Sequence, residues 1–168
     1  MGLRFMSVII REMTDEEFKT FYQWSIEHQA AELVSNLHID PEDALRTATE
    51  EISKMLPNGV KTENNNIFSI IEQDCAEFVG FIWTLHENNT GKTQCFICDF
   101  AIWEHYRRKG YATNALQLAE KYAFDAGCLE SVLFVSDNNK AAQALYQKCG
   151  YQYLRQHGCG KYMVKSLL

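Results

Sequence analysis

Apolar positions first gather at Ser7–Glu12, where Val8, Ile9 and Ile10 form a run short enough for one strand. Directly after it, Thr14-Asp15-Glu16-Glu17 has the spacing of a capping box, in which the Thr14 hydroxyl takes one orphan N–H and Glu17 reaches back for another. This predicts a helix to about Asn36, with Phe18, Phe21, Trp24 and Ile26 set among charged positions. Asp40-Pro41 predicts a second helix start, because proline at the first helical position gives up an N–H that has no helical partner there. That helix runs to about Met55, Pro57-Asn58-Gly59 ends it, and Glu63–Asn66 reads as a polar turn.

The middle of the chain changes to the period of strands. Ile67–Glu72 and Glu77–His86 predict a hairpin turned at Gln73–Ala76, with Val79, Phe81 and Trp83 on one face. Glu87–Lys92 reads as a second turn, leading into a strand over 93–102. Trp103–Lys109 is a polar, basic connection into a helix from Tyr111 to Ala126. Its apolar positions Ala115, Leu116, Ala119, Tyr122, Ala123 and Ala126 recur at helical spacing, and Gly127 suits the stop. Ser131–Val135 predicts a short, fully apolar strand, Asn139–Cys149 a helix ended by Gly150, and Tyr151–Arg155 with Lys161–Lys165 two closing strands. The order βαα-βββ-αβ-αββ implies an α/β (α+β) chain with one sheet, a single domain over 1–168 without linker or repeat.

Composition narrows the function. A hydrophobic share of 46% and a charged share of 23% exclude disordered and coiled-coil chains. The formal net charge of −6 disfavours nucleic acid as a partner, since an acidic surface repels phosphate. No run approaches the roughly 20 apolar residues of a membrane span, and Val8–Ile10 is too short for a signal-peptide core. Met6 stands where a myristoylation signal would need Ser or Thr. Residues 1–6 read as a disordered extension, Met6 as an alternative start, and the chain as cytoplasmic. Among the six cysteines, Cys95 and Cys98 have C-x-x-C spacing but lie in a predicted strand, where residues three apart face opposite sides. The five histidines are scattered, so no metal site is expected. The cysteines read as reduced core and surface residues.

One segment departs from the acidic average. Arg107-Arg108-Lys109 stands directly before Gly110 and a helix. A helix N-terminus presents unpaired N–H groups and the positive end of the backbone dipole, and glycine lets the backbone approach an anion closely. The segment has neither the G-x-x-x-x-G-K-[ST] nor the G-x-G-x-x-G spacing, so neither nucleotide loop fits.

Arg107-x-x-Gly110-x-Ala112 resembles the [QR]-x-x-G-x-[GA] loop of the GNAT superfamily of acetyl-CoA-dependent N-acetyltransferases. Asn139-x-x-Ala142-x-x-Leu145-Tyr146-x-Lys148-x-Gly150-Tyr151 is similar to a second block of that family. Leu56–Gly59, Gly80–Trp83 and the Asp99 strand look closest to a bacterial subgroup, the YycN-like proteins. The resemblance implies a GNAT-like mixed, mostly antiparallel central sheet flanked by helices. It also implies acetyl transfer from acetyl-CoA, as co-substrate, to the amine of a small molecule or protein, by a monomer or homodimer. The pyrophosphate would lie on Arg108, Lys109, Gly110, Tyr111, Ala112 and Thr113 with Arg107 beside it. The pantetheine arm would lie along Phe100, Ala101 and Ile102 where strands 93–102 and 131–135 splay, with Asn139 and Ala142 at the next helix. Tyr146 matches the family's proton donor to the departing thiolate. Asp99 resembles an acidic position of polyamine-acetylating members, suited to bind or deprotonate an amine. Glu72 and Glu104 are weaker candidates read as surface carboxylates. Ribosomal-protein N-terminal acetyltransferases carry a Glu in the strand before the Asn block, where this chain has Phe134. The alternative from another class is a non-catalytic acyl-CoA-binding sensor.

Overall fold

The computed structural model describes residues 7–89 and 91–168, so the reading of residues 1–6 lies outside the described residues. The elements run β1 (Val8–Glu12), α1 (Asp15–Leu37), α2 (Pro41–Met55), β2 (Asn65–Glu72), β3 (Phe78–Asn89), β4 (Lys92–Ile102), α3 (Tyr111–Asp125), β5 (Glu130–Ser136), α4 (Lys140–Lys148), β6 (Gln152–His157) and β7 (Gly160–Ser166). Short 3-10 turns occupy Gly59–Lys61 and Glu104–Tyr106. The chain forms two compact units, Met13–Asn65 and a second built from β1 with everything after Asn65.

In the helical unit the capping box forms as expected. Thr14 Oγ1 accepts the Glu17 N–H at 3.2 Å, and Glu17 Oε1 accepts the Thr14 N–H at 3.0 Å. Asp40 caps α2 by accepting the Glu42 N–H at 3.1 Å, with Pro41 at the first helical position. Ala30 on α1 meets Ala44 and Ala48 on α2, with Ile26, Leu33 and Val34 beside them. Small residues at the contact let the two helices approach closely.

In the second unit the strands make one seven-stranded sheet in the order β1-β2-β3-β4-β5-β7-β6. β4 and β5 are parallel, whereas β1–β2, β3–β4, β5–β7 and β6–β7 are antiparallel. A parallel pair needs a crossover, which α3 supplies. Leu116 and Ala119 of α3 and Tyr146 of α4 bury against Ile97, Leu133, Val135 and Met163 on one face of the sheet.

Three expectations change. Asn89 pairs with Lys92, so the second hairpin turn is tighter than Glu87–Lys92 and both strands are longer. On α3, Ala115, Leu116, Ala119 and Ala123 are buried, but Tyr122 and Ala126 are exposed, because the covered stripe is narrower than the apolar one. β5 is not uniformly apolar in its surroundings: buried Ser131 accepts the Tyr151 hydroxyl at 2.7 Å, and Phe134 is 41% exposed.

Two strands carry an extra residue. Trp83 faces Asp99 while Thr84 faces Ile97, which leaves Cys98 as a bulge in β4. Tyr153 faces Met163 while Arg155 faces Tyr162, which leaves Leu154 as a bulge in β6. Each bulge resets which face the following side chains occupy. No described helix is long and apolar enough to cross a membrane.

Candidate active site

The parallel ladder between β4 and β5 runs from Gln94–Glu130 to Ile97–Leu133 and stops there. β4 continues along β3 to Ile102, while β5 continues along β7 to Ser136. The strands therefore part just after the Cys98 bulge. The Trp103 N–H donates to Val79 O at 2.9 Å, which makes Val79–Trp103 a hydrogen-bonded pair of the antiparallel ladder. By alternation, Ala101 and Asp99 turn their backbone groups toward β3, and Phe100 and Ile102 turn theirs toward the gap. Two contacts agree with this. The Phe100 N–H donates to Asp99 Oδ1 at 3.0 Å, and Ile102 O accepts Arg107 Nε–H at 2.9 Å. Ala101 thus offers the gap its position but no hydrogen bond, which corrects the even use of residues 100–102 expected from sequence.

Past β4 the 3-10 turn brings the chain to the basic loop. Arg108 (φ 65°) and Gly110 (φ 83°) both lie in the left-handed region. Two such residues within three positions curl the backbone so that successive N–H groups converge, the geometry of an anion-binding nest. A Cβ at Gly110 would touch nothing within 4 Å, so its φ rather than protein packing calls for glycine there. Gly110 is the N-cap of α3, and the first helical bond is Asn114 N–H to Gly110 O at 3.3 Å. The N–H groups of Ala112 and Thr113 accordingly have no carbonyl of the helix to meet. Arg107, Arg108 and Lys109 are exposed, with Lys109 Nζ 5.7 Å from the Tyr106 ring centroid. The Tyr111 side chain is buried beside Val79, Ile102 and Ala115, leaving only its backbone to face the loop.

Tyr146 projects from α4 and is 8% exposed, with its ring edge-on to Tyr151 at 5.6 Å. Burial pushes its phenol pKa well above the ordinary value, and the negative fields of Asp99 and Cys149 add to the shift. The structure therefore brings Tyr146 and half-buried Asp99 within electrostatic reach of one another. Burial raises the Cys149 thiol pKa, and the nearby Thr113 hydroxyl offsets part of that rise. Asn139 caps α4 by accepting the Ala142 N–H at 3.1 Å, so these two candidates are engaged with each other.

Glu104 is exposed, as expected, but Glu72 is not the surface carboxylate read from the sequence. It is 4% exposed, because its Oε2 accepts both the N–H and the thiol of Cys75 at 2.7 Å. Burial pushes the Cys95 thiol up to about 12 and the Cys98 thiol higher still. Among the described residues no group of three His, Cys, Asp or Glu could hold a metal ion. Sequence reasoning missed the Arg107 clamp on Ile102. An arginine five residues past a strand end carries no signal that it folds back.

A profile of the acetyltransferase (GNAT) family matches residues 11–151. The chain belongs to the GNAT acetyltransferase family. This GNAT chain is 31% identical over 147 residues to the uncharacterized N-acetyltransferase YycN of Bacillus subtilis (strain 168), spanning 88% of this chain and 94% of that one. The crystal structure of YycN matches with a TM-score of 0.83 at 29% identity, over 90% of this chain and 96% of the other. PaiA N-acetyltransferase of Thermoplasma acidophilum, solved with coenzyme A, gives a TM-score of 0.71 at 19% identity, covering 96% and 99% of the two chains. Spermidine N-acetyltransferase of Vibrio cholerae, solved with CoA and spermine, gives 0.70 at 15% identity and 96% of each chain. The last two are likenesses of fold. Family and relatives together make this GNAT chain an acyltransferase.

Proposed function

We propose that residues 1–168 act as a single acetyltransferase domain that moves the acetyl group of acetyl-CoA to a primary amine of a small molecule or protein. The observation that carries this reading is the parting of β4 from β5 beside the Gly110 loop. It turns the polar groups of Phe100 and Ile102 toward a strand-shaped opening that ends at an anion-binding helix start. A pantetheine arm carries amides spaced like a short peptide and adds to such an edge as a further strand does. Its pyrophosphate then falls to the N–H groups from Arg108 to Thr113, with the Arg107–Lys109 cations countering its charge. Asn139 and Ala142 border the arm at the start of α4.

In this reading the amine nitrogen forms its bond to the thioester carbon, the Ile102 N–H steadies the oxyanion, and the C–S bond breaks as the intermediate collapses. Tyr146 is buried and keeps its proton at neutral pH, so it enters as donor to the departing thiolate. Asp99 takes up the proton lost by the amine. A carboxylate carries about four acceptor sites, so the bond from the Phe100 N–H to its Oδ1 does not prevent it from taking that proton.

The test is incubation with acetyl-CoA and a panel of amines, with free thiol measured. Amine-dependent release is expected, and Tyr146→Phe should lower kcat by about 100-fold while leaving CoA affinity unchanged. CoA binding without thiol release above hydrolysis would replace the transferase with an acyl-CoA sensor.

A further inference from the structure

The buried residues of α4 are Tyr146 and, one turn before it on the same face, Gln143 at 7% exposure. An apolar side chain would fill the second position without the cost of burying an amide. Hydrogen bonds account for the amide instead. Gln143 Nε2 donates to Ser136 O at 2.9 Å and to Asp137 O at 3.1 Å, at the last residue of β5 and the one after it. Ser136 O also accepts the Asn139 N–H at 3.0 Å, and Asn139 O accepts the Gln143 N–H at 3.1 Å. One side chain thus closes the turn between β5 and α4 upon itself.

The strand end held in this way is the one that leaves β4. Past the Ile97–Leu133 pair, β5 runs on beside β7 to Ser136. From the other side, the Asp137 N–H donates to Cys159 O at 2.9 Å, and Asp137 Oδ2 accepts Gln156 Nε2 at 2.8 Å. These bonds fasten the same turn to the β6–β7 hairpin. The helix itself has 9 residues, too few to hold its place by helical hydrogen bonds alone. Its attachments set its place. Beyond Tyr146 the Tyr151 N–H donates to Tyr146 O at 2.9 Å, and before Tyr146 stands Gln143.

We infer that Gln143 is a positioning residue for acetyl transfer: it clamps α4 to the departing end of β5 and so sets the reach of the Tyr146 hydroxyl toward the β4–β5 gap. This role rests on the transferase reading, in which Tyr146 protonates the leaving thiolate. Misplacing a catalytic group by about 1 Å can cost about 100-fold in rate. The main holds on the cofactor in that reading, the β4 edge and the Gly110 loop, lie outside α4.

The experiment is a double-mutant cycle on the full chain, with thiol release, CoA affinity and thermal melting read for each variant. Gln143→Met keeps the length of the side chain and removes both donors. It is expected to lower kcat about tenfold and to leave CoA affinity within about threefold. In a Tyr146→Phe background the same substitution should lower kcat less than about twofold, because no hydroxyl is left to place. The melting temperature should drop equally in both backgrounds, which separates folding from chemistry. Gln143→Asn, with the amide on a shorter stem, is expected to repeat the pattern and serves where Gln143→Met does not fold. An equal kcat loss in both backgrounds, or none in either, overturns the positioning role while the transferase stands. No amine-dependent thiol release by the wild type, with CoA still bound, overturns both.

Discussion

Glu72 shows what one thiol and one N–H can do for a carboxylate. The Cys75 thiol and then its N–H hold the Glu72 carboxyl below its ordinary value of 4.5. A carboxyl with a lower pKa in the folded state adds stability that is complete above the unfolded value and is lost as pH falls through the folded one. Cys75→Ala removes the thiol donor from an exposed position and keeps the N–H. The variant should show a lower urea midpoint than wild type at about pH 7, and the two should converge once acid has protonated Glu72 in both. A gap that persists unchanged into acid would show that the thiol acts through packing instead. Tyr146 is shifted in the opposite direction for the opposite reason, since burial there penalises the charged form.

At the scale of elements, Gly80 fixes how closely β3 and β4 lie behind the gap. A Cβ there would stand 2.2 Å from Ala101 O and 2.9 Å from Ile102 Cα, both backbone atoms that cannot swing aside. Gly80→Ala should therefore push the end of β4 outward, weaken CoA binding and lower thermal stability by about 1–3 kcal/mol, measured by calorimetry and thermal melting. Unchanged CoA affinity would separate the β4 edge from the cofactor. Much of this architecture is legible in the chain. Thr14 and Glu17, Asp40 and Pro41, and Gly110 each act within a few residues of themselves, so spacing alone reveals them. The bulges at Cys98 and Leu154 are not legible, because an extra residue in a strand appears only in the pairing with its partner. The same holds for Ala101 against Phe100 and Ile102. Which of them faces the gap depends on which cross-strand pair exchanges hydrogen bonds, and no residue type encodes that. Burial of Glu72 escaped for a related reason, since its partner Cys75 looks like any turn residue.

Over the whole molecule, charge is distributed against its own average. The net charge of −6 repels a polyanion at long range, while Arg107–Lys109 attract one at contact. Salt at about 0.1 M screens fields beyond roughly 10 Å, so contact should govern binding. CoA affinity should fall several-fold, about threefold or more, between about 50 and 500 mM NaCl in titration calorimetry. Affinity that rises with salt would mean that the global repulsion dominates. The Leu154 bulge has a consequence of another kind. Because Leu154 is the one residue there without a partner across the hairpin, excising it would leave Tyr153 opposite Met163 and Arg155 opposite Tyr162 and would straighten the strand without exchanging its sides. Exposed positions in that hairpin can change identity with little harm, and the bulge also gives it one residue of slack in length that a regular hairpin lacks.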